Sequence, residues 1–385
     1  MTYDFRGYFR FLLRWLSLPG WSWRRLGTVL AFLFLYPLLE LVIWLGLGLD
    51  RLLLPAHRRV AVRQPLFVIG NFRSGTTFLH RVLARDQARF SSMAMWEILF
   101  APAIVLRRLV AGMARAERWI GRPVGRLVDL VHRQWGERVV VHEVRLDEPE
   151  EDDYLGLHCW SVFVAGMSSG VLAEARPYLH FDQRIPPARQ RQIMGFYRRC
   201  LQRHLYARPE AIYLAKNPAL TPKLRAVLTE FPDARFIQLL RDPLQTVPSF
   251  VSMMRWAWGT IGAPVARQEA VDFALEMALH WYLYPQTALA GLPADRFVQV
   301  NYHALRQDPA GTLEALYDLM DLGPLDRDWL AEEAGRAEAF HSGHHYDLGE
   351  LGMSEEAFRA HFAEVYRRYD FSPGAWACRP GNEAC

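Results

Sequence analysis

The feature of this sequence that most constrains its fold is a short apolar run that ends in a glycine-rich loop. Residues 64–70 read Gln-Pro-Leu-Phe-Val-Ile-Gly, a length and composition typical of a buried β-strand. The loop 71–75 follows, and Thr76 and Thr77 begin a segment whose apolar residues recur at helical spacing. A strand, a glycine loop and a helix start bring backbone N–H groups and a helix dipole together at one point. The sequence therefore predicts an anion-binding turn over residues 70–77.

Segments of strand and helix character alternate further along the chain. Strands are predicted at residues 211–216, 235–240 and 296–301, and helices at residues 187–207, 221–230, 244–254 and 309–320. Alternation of this kind predicts an α/β fold with a parallel sheet flanked by helices on both faces. The chain has 385 residues, of which 51% are hydrophobic, so it can form one large domain with embellishments.

The amino-terminal region has a different character. Residues 1–25 mix aromatic residues with arginine, and residues 26–49 are apolar except for Glu40. As a helix, residues 26–49 would be about 36 Å long, enough to cross the hydrocarbon core of a bilayer. Pro37 divides this segment, and a charge near the bilayer centre is costly. Arginines flank it on both sides, so the positive-inside rule assigns no orientation.

We expect membrane association through residues 26–49, and three arrangements stay open. The segment could be a span or a broken re-entrant helix, an amphipathic helix in the interface, or a buried helical hairpin or dimer contact.

Charge and cysteine content exclude other classes of protein. The formal net charge of +4 is too small for a nucleic-acid-binding face, so no nucleic-acid partner is expected. The 4 cysteines have neither CxxC nor zinc-finger spacing, which indicates reduced thiols. Three histidines, His341, His344 and His345, have few acidic neighbours, which is more typical of a solvated loop than of a metal site. No metal is expected.

Lysine is the rare basic residue. Among the 45 lysine and arginine residues, the lysines are Lys216 and Lys223, a bias typical of a GC-rich bacterial genome. Where lysine persists in such a chain, a compact ammonium suits the position better than a planar guanidinium. Lys216 ends the predicted strand 211–216, and ligands bind at the carboxyl ends of strands in α/β sheets.

The glycine loop differs from the phosphate loop of nucleoside triphosphatases at a decisive position. That motif requires lysine where this chain has Thr76, and the cation here is Arg73, inside the loop. We also find no strong strand that ends in an acidic residue suited to Mg²⁺. A cradle that needs no metal suits a phosphosulfate, which carries less charge than a triphosphate.

A second candidate anion site follows the predicted strand 235–240. Arg241 can donate two N–H bonds to a phosphate, and Ser249, eight residues later, adds a hydroxyl. Two anion sites at neighbouring strand ends suit a nucleotide with phosphate at both its 3′ and 5′ positions.

Together these residues resemble the sulfotransferases that use 3′-phosphoadenosine-5′-phosphosulfate (PAPS). Residues 73–77 resemble the loop for the 5′-phosphosulfate, and Arg241 with Ser249 resembles the 3′-phosphate site. Bacterial sulfotransferase-family proteins and tyrosylprotein sulfotransferases are also similar at Ala215-Lys-Asn-Pro218, Phe231-Pro-Asp-Ala-Arg235, Val300-Asn-Tyr302, Asp308-Pro309 and His345-Tyr-Asp-Leu348. The resemblance covers roughly residues 64–370 and implies a P-loop-like sulfotransferase fold. We expect a catalytic domain over residues 61–385, preceded by an aromatic, basic and membrane-associated helical segment over residues 1–60.

The resemblance also implies roles for individual residues. The donor-binding residues would be Arg73, Ser74, Gly75, Thr76, Thr77, Arg241 and Ser249. Lys216 and Arg73 would stabilise the charge of the transferring group. The general base would lie beyond the loop arginine, where Glu97 has apolar neighbours that favour a raised pKa. The alternatives are Glu151 and Asp152, in an acidic run (147–153) that could also be a solvated loop or the start of a helix, and His142.

The acceptor has no recognisable motif. The apolar amino-terminal segment suggests a hydroxyl on a lipid or membrane-bound glycan, and phenols, carbohydrates and peptides stay open. The competing functions are a P-loop kinase-like phosphotransferase and a non-catalytic, membrane-attached nucleotide-binding protein. Since bacteria make PAPS in the cytosol, we expect the catalytic domain on the cytoplasmic side of the membrane.

Overall fold

The computed structural model describes residues 3–121, 125–126, 146–325, 348–372 and 374–381. Within these residues a six-stranded sheet has the strand order β2-β3-β1-β4-β5-β6. The strands are β1 (Leu66–Gly70), β2 (Phe90–Ser91), β3 (Ile212–Lys216), β4 (Arg235–Leu240), β5 (Phe297–Asn301) and β6 (Cys378–Pro380). β1 to β5 are parallel, and β6 pairs antiparallel with β5. The predicted parallel sheet is confirmed, and the short edge strand β6 adds to it.

Helices surround this sheet. They are α1 (Phe5–Ser17), α2 (Trp23–Leu53), α3 (Thr76–Leu83), α4 (Met95–Phe100), α5 (Ile104–Ala116), α6 (Phe163–Ser169), α7 (Leu172–Ala175), α8 (Phe181–Arg184), α9 (Pro187–His204), α10 (Leu224–Glu230), α11 (Pro243–Ile261), α12 (Arg267–Ala288), α13 (Tyr302–Gln307), α14 (Pro309–Leu319), α15 (Glu355–His361) and α16 (Ala363–Arg368). Short 3₁₀ helices include Asp152–Cys159 and Pro218–Lys223.

The central strands are buried on both faces, as a parallel sheet requires. In β1, Phe67 and Ile69 belong to one hydrophobic cluster, whereas Leu66 and Val68 belong to the other. Successive side chains of a strand point to opposite faces, so these two clusters are the cores on either side of the sheet.

Two helical predictions need correction, and one long helix was missed. The segment 221–230 starts as the 3₁₀ helix Pro218–Lys223, where Pro222 lacks the N–H that an α-helix would use. The helix predicted at 244–254 extends as α11 to Ile261, with Pro248 inside it. The long helix α12 was not predicted.

The amino-terminal helices pack onto the rest of the protein. α2 is continuous through Pro37, so the predicted division of this segment is wrong. Val29, Ile43 and Leu47 of α2 belong to the same hydrophobic cluster as Phe67 of β1. The division of the chain into 1–60 and 61–385 stays a prediction about its organisation.

Candidate active site

The candidate site lies at the carboxyl ends of four adjacent strands. Lys216 ends β3, the loop 71–75 follows β1, Arg241 follows β4, and Tyr302 follows β5. These strands are neighbours in the order β3-β1-β4-β5 and run parallel. The sheet therefore gathers residues from distant parts of the chain at the edge where α/β proteins bind ligands.

Two glycines allow the tight path of the loop after β1. Gly70 and Gly75 have φ angles of 140° and 93°, a region that glycine adopts without strain. A Cβ on Gly75 would lie 2.5 Å from the ring of Tyr302, so only glycine fits there. Ser74 Oγ donates a hydrogen bond to the carbonyl oxygen of Asn71 at 2.7 Å and thereby closes the turn. The N-terminus of α3 follows directly, and the positive end of a helix dipole favours an anion there.

The two predicted anion sites form one cluster. Arg73 Nε donates to Ser249 Oγ at 2.8 Å, and Arg241 Nη1 donates to the carbonyl oxygen of Arg73 at 3.0 Å. Arg241 Nε also donates to Gln245 Oε1 at 2.8 Å. The guanidinium of Arg241 lies 4.3 Å from the centroid of the Tyr302 ring, a cation–π contact that limits its orientation. Arg73, Arg241 and Ser249 are therefore brought together, as the sequence predicted.

Lys216 joins the loop to the acidic run. Its side chain is fully buried, with 0% exposure. Nζ donates to Glu150 Oε1 at 2.6 Å, to Glu151 Oε1 at 2.9 Å and to Thr77 Oγ1 at 3.2 Å. Burial alone would lower the pKa of Lys216, but the two carboxylates outweigh it and the pKa is raised above its usual value. The ammonium therefore stays charged at neutral pH.

The acidic run is partly buried, and it leads into the 3₁₀ helix Asp152–Cys159, so it is a helix start rather than a solvated loop. Glu150 and Asp152 are 4% and 1% exposed. Asp152 accepts hydrogen bonds from Tyr197, from Tyr213 at 2.8 Å and from Asn217 Nδ2 at 2.7 Å. Burial raises the pKa of Asp152 to about 6, and these hydrogen bonds oppose the rise.

Both lysines of the chain pair with the acidic run. Lys223 donates to Asp153, just as Lys216 donates to Glu150 and Glu151. The two lysines of this arginine-rich chain are thus both buried, and both form ion pairs with the same acidic segment.

Glu97 lies beside the acidic run, but its carboxylate has other partners. Glu97 Oε2 accepts from the N–H of Ala94 at 2.9 Å, which caps α4, and Arg107 Nη1 donates to Oε1 at 3.4 Å. His204 Nδ1 lies 3.9 Å from Glu97, but burial and Arg107 lower the pKa of His204 to about 3, so His204 is neutral. The carboxylates that contact Lys216 are those of Glu150 and Glu151 instead.

Backbone pairing explains why Glu97 and the acidic run are neighbours. The N–H groups of Met95 and Trp96 donate to the carbonyl oxygens of Glu148 and Leu146 at 3.1 and 3.0 Å. A side-by-side arrangement of this kind leaves little local signal in a sequence. His142 and the histidines 341, 344 and 345 lie outside the described residues.

Comparisons with known proteins agree with this geometry. A model of the sulfotransferase family matches residues 65–326. The omega-hydroxy-beta-dihydromenaquinone-9 sulfotransferases Stf3 of Mycobacterium bovis and Mycobacterium tuberculosis are each 25% identical to this chain over 327 residues, which is 80% of this chain and 75% of theirs.

Two solved structures have a similar fold. Sulfotransferase STF9 from Mycobacterium avium aligns with a TM-score of 0.65 at 21% identity, over 86% of this chain and 83% of its own. Sulfotransferase STF1 from Mycobacterium tuberculosis aligns with a TM-score of 0.62 at 23% identity, over 94% of both chains. The predicted sulfotransferase fold is thus confirmed.

Proposed function

Because this chain belongs to the sulfotransferase family and transfers a sulfuryl group to a hydroxyl, we propose that its donor is PAPS, bound by the cluster at the ends of β1 and β4. The observation that carries this proposal is the contact of Arg73 with both Ser249 and Arg241. Two guanidinium groups, a hydroxyl and the start of α3 then lie side by side at the ends of two neighbouring strands, which suits a nucleotide with more than one anionic group. A site for a nucleoside triphosphate does not require the contact of Arg73 with Ser249 and Arg241. This contact therefore disfavours the kinase-like alternative.

The chemistry of the side chains supports the fit to PAPS. The donor-binding residues proposed are Arg73, Ser74, Gly75, Thr76, Thr77, Arg241 and Ser249. PAPS, when bound, supplies the sulfuryl group. The charged groups of the chain provide the rest, since Arg73 and Lys216 lie where negative charge on the donor would be stabilised. Because these cations come from the chain itself, we propose that no metal takes part.

For the general base we propose Glu151. Its side chain contacts Lys216 and is 19% exposed, whereas that of Glu150 is 4% exposed. A carboxylate that must take a proton from an acceptor hydroxyl needs access to that hydroxyl. Glu97 remains the competing proposal from sequence position, and its bonds to Ala94 and Arg107 favour a structural role.

For the acceptor we propose a hydroxyl on an apolar lipid, reached from a membrane. The Stf3 relatives are named for omega-hydroxy-beta-dihydromenaquinone-9, which supports this class. Residues 26–49, within α2, would attach the protein to the membrane, with the catalytic region on the cytoplasmic side. α2 is the helix in the described part of the chain that is long and apolar enough to cross a bilayer.

A ligand-binding experiment tests the donor proposal. 3′,5′-Diphosphoadenosine should raise the melting temperature of the protein more than Mg-ATP does, since a ligand that binds the native state stabilises it. Arg73→Ala and Ser249→Ala should lose most of this effect, whereas Arg359→Ala, on the surface of α15, should keep it. A larger rise with Mg-ATP would support a kinase-like function instead.

A transfer assay then tests the base. Transfer of labelled sulfate from PAPS should fall strongly in Glu151→Gln and stay near the wild-type rate in Glu97→Gln. The reverse result would favour Glu97. Donor binding without transfer to any of a broad panel of acceptors would favour the non-catalytic alternative.

A further inference from the structure

The outward face of α2 is apolar over most of its length. The exposed residues between positions 30 and 49 are Leu30, Ala31, Phe34, Leu35, Pro37, Leu38, Leu41, Val42, Leu45, Gly48 and Leu49. The charged residues of the helix that are buried, Arg25, Glu40 and Asp50, face inward. A helix on the surface of a protein in water has the opposite pattern, with its apolar stripe inward. The outer face of α2 is therefore built for contact with a medium other than water.

The inner face of α2 is bound to the catalytic region by specific hydrogen bonds. Tyr36 donates to the carbonyl oxygen of Leu157 at 2.8 Å, and Trp44 Nε1 donates to that of His158 at 3.1 Å. Glu40 Oε1 lies 2.8 Å from His158 Nδ1, and both side chains are buried. These contacts attach the middle of the helix to the 3₁₀ helix Asp152–Cys159.

The end of α2 is bound through a buried charge. Asp50 accepts from Arg203 Nε at 3.0 Å and from the N–H groups of Ile104 and Val105 at 2.8 and 2.9 Å. The bound face thus runs from residue 36 to residue 50, about 21 Å along the helix axis. Separation would break this ion pair together with the hydrogen bonds of Tyr36 and Trp44, and it would expose the apolar residues of the inner face, such as Ile43, to water. α2 therefore stays docked.

A docked helix of this kind cannot cross a bilayer. Crossing would bring the part of the domain bound along residues 36–50 into the hydrocarbon core, together with its polar groups. A helix that lies parallel to the membrane surface avoids this cost, because it inserts its outer face and keeps its inner face on the protein.

α1 packs against α2 through ring contacts of Tyr8, Phe11 and Trp15 with Phe32, and it adds exposed apolar residues and positive charge beside that helix. Its exposed residues include the apolar stripe Phe5, Phe9, Leu13 and Leu16. Exposed arginines border the two helices at Arg6, Arg24, Arg51, Arg58 and Arg59, and Trp21 and Trp23 are exposed between them. Tryptophan favours the membrane–water interface, and arginine is attracted to anionic lipid headgroups. A lipid surface matches this combination better than a second copy of the same arginine-bordered face, which would repel its twin.

We propose that α1 and α2 form a single membrane-binding face that lies in the plane of a bilayer containing anionic phospholipid, and that α2 does not span it. This inference deepens the membrane attachment proposed above and rests on it. The 3₁₀ helix Asp152–Cys159 begins directly after Glu150 and Glu151, and near its carboxyl end Leu157 accepts the hydrogen bond from Tyr36 of α2. The 3₁₀ helix thus links the membrane-binding face to the segment that pairs with Lys216.

Vesicle flotation of the full chain tests the surface. The wild type should float with vesicles of phosphatidylcholine and phosphatidylglycerol, and less with phosphatidylcholine alone. Leu38→Glu with Leu45→Glu should weaken binding at least about a hundredfold, since two leucine side chains lose their burial. The matched control Ala290→Glu with Ala294→Glu, on an exposed connection before β5, should bind as the wild type does.

Two results would overturn the proposal. One is equal binding of the Leu38→Glu, Leu45→Glu variant. The other is a wild-type dimer without vesicle binding that the same variant converts to a monomer, because a second copy would then cover the face. The melting-temperature rise with 3′,5′-diphosphoadenosine, measured on the same samples, reports on folding and on the donor site separately. Failure of the membrane proposal is thereby distinguished from failure of the donor proposal.

The depth of α2 tests its orientation. Nitroxide labels at residues 30, 41 and 52 lie on one stripe, and in the bilayer plane they should show similar depths. In a span, the label at residue 41 would lie about 16 Å deeper than the other two. Such a gradient would refute the in-plane arrangement.

Discussion

Replacement of Lys216 by methionine separates its structural role from its chemical one. Methionine has a similar length, but it cannot donate to Glu150, Glu151 or Thr77. The two carboxylates would then lose the ammonium that both of them contact, and Glu150 is 4% exposed. Loss of one partner from a buried ion pair costs about 3–5 kcal/mol of unfolding free energy. We expect the low end of that range, because Glu151 retains some contact with water.

The same substitution should also reduce the rate of transfer. Removal of a charge that stabilises a transition state typically costs about 10²–10³ in turnover. The double variant Lys216→Met, Glu150→Gln also removes the charge of the more buried carboxylate, and it keeps Glu151, the proposed general base. It should regain most of the lost stability, whereas turnover should stay low.

The assay combines urea unfolding, followed by circular dichroism, with single-turnover transfer from PAPS. Lys223→Met is the matched control, since Lys223 is also buried and pairs with Asp153 of the same run. It should lower stability by a similar amount and leave the rate of transfer largely intact. Recovery of turnover in the double variant would refute a chemical role for Lys216, and wild-type stability of Lys216→Met would refute the buried ion pair.

Three further predictions concern the pH dependence and the donor loop. Because burial raises the pKa of Asp152 to about 6, its carboxyl keeps a proton in the native state that the unfolded chain releases above about pH 4. The stability that this group contributes therefore falls by about 3 kcal/mol as the pH rises from about 4 to about 7. Asp152→Asn should remove this slope in urea unfolding at a series of pH values, and an unchanged slope would assign it to other groups. Gly75→Ala places a methyl group against Tyr302 at a positive φ and should lower the affinity for 3′,5′-diphosphoadenosine at least about tenfold by calorimetry, an expectation that unchanged affinity would contradict. Ser249→Ala removes the acceptor of Arg73 Nε and should weaken the same binding about 10–100-fold, whereas an effect below about twofold would place Ser249 outside the donor site.

Much of the donor site was predictable because its signals are local. The loop 70–77 depends on glycines at positions of positive φ and on the change from strand to helix spacing, both of which lie within a few residues. Arg241 and Ser249 follow the strand β4, whose run of apolar residues is also recognisable from the sequence. Parallel strand order then brings the two segments together, since α/β sheets place their loops at one edge.

The partners of Lys216 were harder to predict. Glu150 and Glu151 are separated from it by 66 and 65 positions along the chain. Several acidic residues could serve as the general base by residue type. The residues next to them in the sequence do not indicate which one contacts Lys216. Backbone hydrogen bonds join residues 93–96 to residues 146–150. In this arrangement Glu97 contacts Arg107, and the acidic run contacts Lys216.

The sequence alone was sufficient for the anion loop, the parallel sheet and the apolar character of residues 26–49, because short-range periodicity and glycine chemistry carry that information. Tertiary packing alone selected which carboxylates meet Lys216 and which face of α2 is turned outward. Asp50 meets Arg203 across 153 positions of sequence, and contacts of that range depend on how the helices dock against the sheet. By composition alone, residues 26–49 would suit a membrane span. Because the inner face of α2 is docked on the protein, we propose a helix that lies in the membrane plane instead.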